Sequence, residues 1–340
     1  MASDLISIVN ASAKRLLPSI IDIRRDLHRH PELSFEEKRT SESIKTFLSK
    51  YEIPFTEGWA GYGIVASVRG EADGPLVMLR ADMDALPITE ANDVSYRSLN
   101  EGVMHACGHD VHTSSLLGAA VILHENKKSI RGEIRMIFQP GEEKLPGGAS
   151  LMIDEGLFSV GSPDWIIAQH VHPPLEAGHV GFRSGLYMAS ADEIYISIKG
   201  KGGHAATPHL CVDPIVISAR IITALQEIVS RSIDPLSPGV LTIGKIYSDG
   251  GATNVIPDTV RLEGTLRAMD EKWRIETHHR IQNLVEKICE SSGATAEVNV
   301  VTGYPSLINN DAVTSMCRKS AISYLGEDKV HELPQRMTSE

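Results

Sequence analysis

The chain has 340 residues, enough for two domains, and its 42% hydrophobic and 23% charged content is that of a folded globular protein and not of a disordered one. A formal net charge of −11 leaves no concentrated basic face for nucleic acid or an anionic membrane, so the expected partner is a small molecule. Four scattered cysteines, Cys107, Cys211, Cys289 and Cys317, with no export signal or long apolar segment ahead of them, suit a reducing cytoplasm better than a disulfide framework.

Residues 1–33 carry apolar and charged residues at helical spacing, which predicts an amphipathic helix. From there the first half alternates helices with short apolar runs, the pattern of an α/β domain whose mixed, largely parallel sheet is flanked by helices. Three of these runs end in side chains able to bind metal. "PLVML" leads into "RADMDALP" with Asp82 and Asp84; "GEIRMIFQP" leads into "GEE" with Glu142 and Glu143; "DWIIAQ" leads into "HVHPP" with His170. Open α/β sheets bind ligands beyond the carboxyl ends of their strands, so the three clusters are expected to converge.

Between the first two runs lies "MHACGHDVH", residues 104–112. The amphipathic segment after it predicts a helix whose first turn holds His109 and Asp110 and faces the same crevice. Thiolate and imidazole are borderline-soft donors for a divalent transition metal, and Gly108 lets the backbone turn tightly between Cys107 and His109. Adjacent Glu142 and Glu143, if extended, point to opposite sides, so that one can bind metal while the other handles a proton.

The middle of the chain reads as strand, Gly-rich loop, helix, strand, strand, helix, strand, which predicts an α+β sandwich. The Gly-rich "KGKGGHAATP" lacks the Gly-Lys-Ser/Thr ending of a phosphate loop. The expected division is residues 1–186 with 303–340 as the catalytic domain and residues 187–302 as an inserted domain.

Together, "RRDLHRHPELSFEE", "LRADMDALP", "HACGHDVHT", "QPGEE", "QHVHP", "GKGGHAATPH", "GATNVIPD" and "GTLR" resemble, in order and spacing, the M20 family of metallopeptidases. The likeness is closest to the amidohydrolase branch of aminoacylase-like, hippurate and indole-acetyl-amino-acid hydrolases. The resemblance implies two divalent metal ions, Zn²⁺ or Mn²⁺ with Ni²⁺ or Co²⁺ possible, on Cys107, His109, Glu143 and His170, with Cys107 near the bridging position. Glu142 becomes the general base on an activated water, and Asp82 and Asp84 become groups that orient ligands. His172 becomes a surface imidazole. The inserted domain becomes a lid that dimerises, with His204 reaching the partner's site to polarise the substrate carbonyl and Asn254 and Arg267 holding the substrate. The implied reaction cleaves N-acyl amino acids to a carboxylic acid and an amino acid. The alternatives are a dipeptidase or N-acetyl-diamino-acid deacetylase with the same centre, or a truncated, metal-binding dimeric protein without catalysis. The chain stops at "QRMTSE", where the resembled family continues for some tens of residues and supplies one more His. His331 lies upstream of that place and is not its counterpart, so a missing C-terminal part and weak activity are expected.

Overall fold

In the computed structural model, which describes residues 2–159 and 161–340, the chain divides into two compact units, Met1–Glu176 and Ala177–Glu340. The first unit contains helices α1 (Ala2–Arg29) and α2 (Lys38–Lys50), strands β1 (Phe55–Trp59), β2 (Gly63–Arg69) and β3 (Ala72–Asp82), helix α3 (His109–Glu125), strand β4 (Arg131–Gln139), helix α4 (Gly148–Asp154) and strand β5 (Trp165–Ala168). Its sheet has the order β1-β2-β4-β3-β5. Strands β4, β3 and β5 run parallel, and β1 and β2 join antiparallel.

Side chains alternate between the two faces with the strand period of two, and both faces are covered. Ile64, Ala66, Met136 and Phe138 enter a core with α1, α2 and α3, including Leu16, Ile44, Leu117 and Val121. Val65, Met78 and Ile137 turn the other way, toward Met152 and Leu157. A sheet buried on both sides needs apolar residues at nearly every position, which is why these strands read as continuous runs.

Register then lines up the strand ends. Asp82 of β3 pairs with Gln139 of β4, and Arg80 of β3 with Ala168 of β5, so all three chains leave the sheet at one edge. Helix α3 begins beside them, because Gly108 precedes it at φ +94° and the Thr113 hydroxyl donates to the Asp82 carbonyl at 2.8 Å.

The second unit holds strands β6 (Val180–Phe182), β7 (Gly185–Met188), β8 (Asp192–Lys199) and β9 (Gly203–His204), helix α5 (Pro214–Ser232), strands β10 (Gly239–Ser248), β11 (Val255–Ile256) and β12 (Thr259–Ala268), helix α6 (Glu271–Ser291), strands β13 (Thr295–Thr302) and β14 (Leu307–Asn309), helix α7 (Asp311–Leu325) and strand β15 (Val330–Glu332). An antiparallel sheet in the order β10-β12-β8-β13 packs Ile194, Ile196, Ile198, Val260 and Leu262 against Ile221 and Leu225 of α5 and Ile281 and Val285 of α6. Each helix starts at a capping aspartate: Asp213 accepts from Ile215 N, and Asp270 from Trp273 N. The flanking segments pair among themselves, β6 with β15 and β7 with β14.

Where the sandwich begins, buried Asp192 accepts from Arg274 Nη2 at 2.5 Å and Nε at 2.9 Å, from His278 Nε2 at 2.8 Å and from the Gly303 amide at 3.0 Å. Burial works against the Asp192 carboxylate, but these donors hold its pKa below the usual range. All four cysteines are free, and among the described residues no helix is long and apolar enough to cross a membrane.

Candidate metal centre

Asp82, Asp84, Cys107, His109, Glu142, Glu143 and His170 sit together at the common strand edge of the first unit, while Asp110 turns to Arg24 and His28. Cys107 Sγ lies 3.1 Å from His170 Nε2. His109 Nε2 faces Glu143 Oε1 at 3.8 Å, Glu142 Oε2 at 3.9 Å and Asp82 Oδ2 at 3.6 Å. One donor atom from each of Cys107, His109 and His170 falls within 4.8 Å of the others, and the same holds for His109, Glu142 and Glu143. His109 belongs to both groups, so the two adjoin at its Nε2, which can serve one ion.

The hydrogen bonds behind these atoms decide which nitrogen of each ring faces the centre. Asp84 Oδ1 takes the proton of His109 Nδ1 at 3.0 Å, and Asp84 Oδ2 takes the Ser34 hydroxyl at 2.7 Å and the Glu143 amide at 2.9 Å. A carboxylate on Nδ1 turns the Nε2 lone pair of His109 toward the centre. His170 Nδ1 donates to the Val171 carbonyl at 2.7 Å, which leaves its Nε2 as the atom beside Cys107. His112 accepts the Val171 amide at Nε2, at 2.9 Å, and therefore donates from Nδ1 to Asp82 Oδ1 at 2.6 Å. This residue clamps the backbone that carries His170. The sequence reading assigned it no role, although its spacing of three from His109 on one helix was the available signal.

Gly108 is required twice over. Its φ of +94° is disfavoured for other residues, and an added Cβ would lie 2.5 Å from Val171 Cγ2. The expectation that Glu142 and Glu143 point to opposite sides is corrected. The segment is bent, not extended, with Gly141 at φ +59° and its carbonyl taking the Gly148 amide at 2.9 Å, so both carboxylates turn toward His109.

Electrostatics at this edge favour positive charge. Burial opposes an imidazolium at His109, yet the carboxylate of Asp84, the neighbouring Cys107 and the charge of Asp82 push its pKa up to about 12. Burial raises the Cys107 thiol and the Glu143 carboxyl. Asp82 and Asp84 are also buried, but Arg80 and His112 beside Asp82, and His109 and Ser34 beside Asp84, hold both carboxyls low. Buried His109 Nε2 and Glu143 Oε1 make no hydrogen bond. Orphaned donor atoms beside a thiol and an imidazole fit divalent metal ions, which supply the missing positive charge.

In the second unit, His204 lies opposite Val255 across the β9–β11 pair, and the Asn254 carbonyl takes the Ala205 amide at 2.9 Å. His204 and Asn254 are thus neighbours. His204 Nδ1 accepts the Ala206 amide at 3.1 Å, so its ring presents Nε2–H as a donor on an exposed loop. Arg267 is elsewhere. The loop of His204 joins the sheet where Lys199 pairs with Thr259, whereas Arg267 is eight positions further along β12, about 26 Å at ~3.3 Å per residue. The structure therefore does not bring Arg267 to His204 and Asn254. There the Arg267 guanidinium donates to Thr265 Oγ1 and, at 3.3 Å, to the Leu266 carbonyl.

Thiol, imidazole and carboxylate donors gathered at the carboxyl edge of parallel strands define a metallohydrolase. Residues 78–340 match the description of Peptidase family M20/M25/M40. The chain is 44% identical over 303 residues to the N-acetyl-L-cysteine deacetylase of Bacillus subtilis, covering 89% of this chain and 72% of that protein. It is 43% identical over 292 residues to the N-acyl-L-amino acid amidohydrolase of Geobacillus stearothermophilus, covering 86% and 78%. Among solved structures, the YXEP protein of Bacillus subtilis, titled a dinuclear metal binding peptidase from the M20 family, superposes with a TM-score of 0.78 at 33% identity, covering 96% and 84%. The chain belongs to the M20 peptidase family, and it is a metal-dependent amidohydrolase.

Proposed function

We propose that this protein hydrolyses the amide bond of N-acyl amino acids, releasing a carboxylic acid and the free amino acid. The observation that carries the reading is the pair of buried, unbonded donor atoms, His109 Nε2 and Glu143 Oε1, beside Cys107, His170 and a second carboxylate, Glu142. Cys107, His109, Glu143 and His170 would hold two divalent ions, Zn²⁺ or Mn²⁺. When bound, such ions polarise a carbonyl and make water more acidic.

The chain's own residues do the rest. Glu142, adjacent to a ligand and turned to the same side, accepts the proton of the attacking water and delivers it to the leaving amine. Asp84 and His112 hold His109 and His170 in register throughout. His204 donates from Nε2 to the developing oxyanion, Asn254 orients the amide beside it, and Arg267 grips the amino-acid carboxylate. The separation of Arg267 from His204 along β12 is too great for one small substrate. The reading therefore requires two chains, with residues 187–302 as the dimerising lid and each lid serving its partner with His204. A reducing cytoplasm, in which the Cys107 thiol persists, is the proposed compartment.

The test is release of amine from N-acetyl amino acids by the protein loaded with Zn²⁺ or Mn²⁺, with dipeptides in parallel. Glu142→Gln should lower kcat by about 10²- to 10⁴-fold without loss of bound metal. Undiminished turnover in that variant removes Glu142 as the base, and faster turnover of dipeptides redirects the substrate class.

A further inference from the structure

The stretch "PELSFEE", residues 31–37, lies well ahead of the ligands in the chain, and the reaction as described gives it no task. In the structure it is tied to two of the loops that carry the site, those of Asp84 and of Glu142–Glu143. The Ala85 amide, next to Asp84, donates to the Glu32 carbonyl at 2.8 Å, and Leu33 pairs with Ala85. The Ser34 hydroxyl donates to Asp84 Oδ2 at 2.7 Å. Phe35 takes a positive φ of 66°, unfavourable for a bulky side chain, and its ring stands where a Cβ on Gly141 would be, with Cε1 only 2.3 Å from that position. Fully buried Glu37 accepts the Gly141 amide on Oε1 at 2.7 Å, while its Oε2 is buried and makes no hydrogen bond. At the strap's base, Glu32 accepts the Arg39 and Thr40 amides, at 2.9 and 2.8 Å.

We propose that residues 32–37 form a rigid strap that sets the position of the Glu142–Glu143 loop, with Glu37 as its positioning residue. Gly141 is held on both sides, its amide by Glu37 and its carbonyl by Gly148, so the next two residues leave from a stationary point. Without Glu37 the Gly141 amide has no buried acceptor, and the loop gains freedom where both carboxylates need a definite place. A carboxyl this deep in the core is an uncommon choice for an acceptor, since burial pushes its pKa up to about 7. The acceptor oxygen is what the proposal requires, so a neutral amide in its place preserves the function.

The inference rests on the roles proposed above for Glu142 and Glu143, and its test has an arm that needs no turnover. Glu37→Leu and Glu37→Gln would be compared with wild type by hydrogen exchange of residues 139–148, by Co²⁺ titration and by steady-state kinetics. The expected results for Glu37→Leu are exchange at Gly141 at least tenfold faster, Co²⁺ bound about tenfold more weakly, and kcat lower by about tenfold to hundredfold with KM within about twofold. Glu37→Gln should remain within about threefold of wild type in all three, because its carbonyl oxygen still meets the Gly141 amide. Should Glu37→Leu fail to fold, Ser34→Ala at the half-buried end of the strap is expected to weaken Co²⁺ binding by about threefold to tenfold. Wild-type exchange at Gly141 in Glu37→Leu, a Glu37→Gln variant as impaired as Glu37→Leu, or unchanged Co²⁺ binding in Ser34→Ala overturns the proposal. If wild type turns over no N-acyl amino acid, the exchange and Co²⁺ arms still decide the strap while the substrate reading fails separately.

Discussion

Replacing Asp84 by Asn exchanges one carboxylate oxygen for an NH₂ group and nearly preserves volume and shape, yet three hydrogen bonds end on this carboxylate: His109 Nδ1 at 3.0 Å, the Ser34 hydroxyl at 2.7 Å and the Glu143 amide at 2.9 Å. Asn offers one oxygen and one NH₂. With its oxygen toward His109, the NH₂ opposes the Glu143 N–H and leaves that donor unsatisfied in the buried site. With its oxygen toward Glu143, the NH₂ faces His109 Nδ1 and drives the ring proton to Nε2, covering the lone pair that faces Cys107, Glu142 and Glu143. Either arrangement costs about 1–3 kcal/mol, which corresponds to roughly tenfold to hundredfold weaker metal binding. Titration of metal-free protein with Co²⁺, read by its thiolate absorbance, measures the change, and circular dichroism establishes that the variant is folded. Co²⁺ affinity within about twofold of wild type in a folded Asp84→Asn protein would refute the orienting role and, with it, the tautomer assigned to His109.

Two further predictions test the scaffold. Gly108→Ala forces an L side chain to φ +94° and sets its Cβ against Val171 Cγ2, so it should lower stability by about 1–2 kcal/mol and displace His170 enough to weaken Co²⁺ binding; a melting temperature and an affinity both equal to wild type would contradict this. Arg274→Met leaves the Asp192 carboxylate, fully buried, without its main partner and should cost about 3–5 kcal/mol at pH 7. The folded pKa of Asp192 is depressed, so the stability it contributes is present above the unfolded value near ~4 and is lost as pH falls through the folded value. Denaturant melts at pH 7 and pH 3 should therefore show the gap between Arg274→Met and wild type narrowing in acid, and an equal gap at both would rule out the charged pairing.

Much of the architecture was open to reading in one dimension. Strands β2, β3 and β4 send side chains into cores on both faces and so carry nearly unbroken apolar runs, while β8 alternates because only one of its faces meets helices. Residues that follow a strand must lie at its end, which is why Asp84, Glu142, Glu143 and His170 were identifiable as one group. The antiparallel β1–β2 addition left less of a mark, since β1 is a short edge strand with few buried residues.

What the one-dimensional order settled was chemistry by type: which side chains carry metal-binding and proton-handling atoms, and that they follow strands of one sheet. Tertiary structure alone decided which atoms of those side chains face one another. The protonated nitrogen of His109 and His112 depends on a carboxylate or backbone group tens of residues away, the approach of His170 to Cys107 spans 63 residues of chain, the bend that turns Glu142 and Glu143 together depends on Gly148, and the remoteness of Arg267 from His204 depends on strand register. Local sequence encodes backbone preference and polarity within a few residues, whereas hydrogen-bond partners and distances at a site are properties of chain segments that meet only after folding.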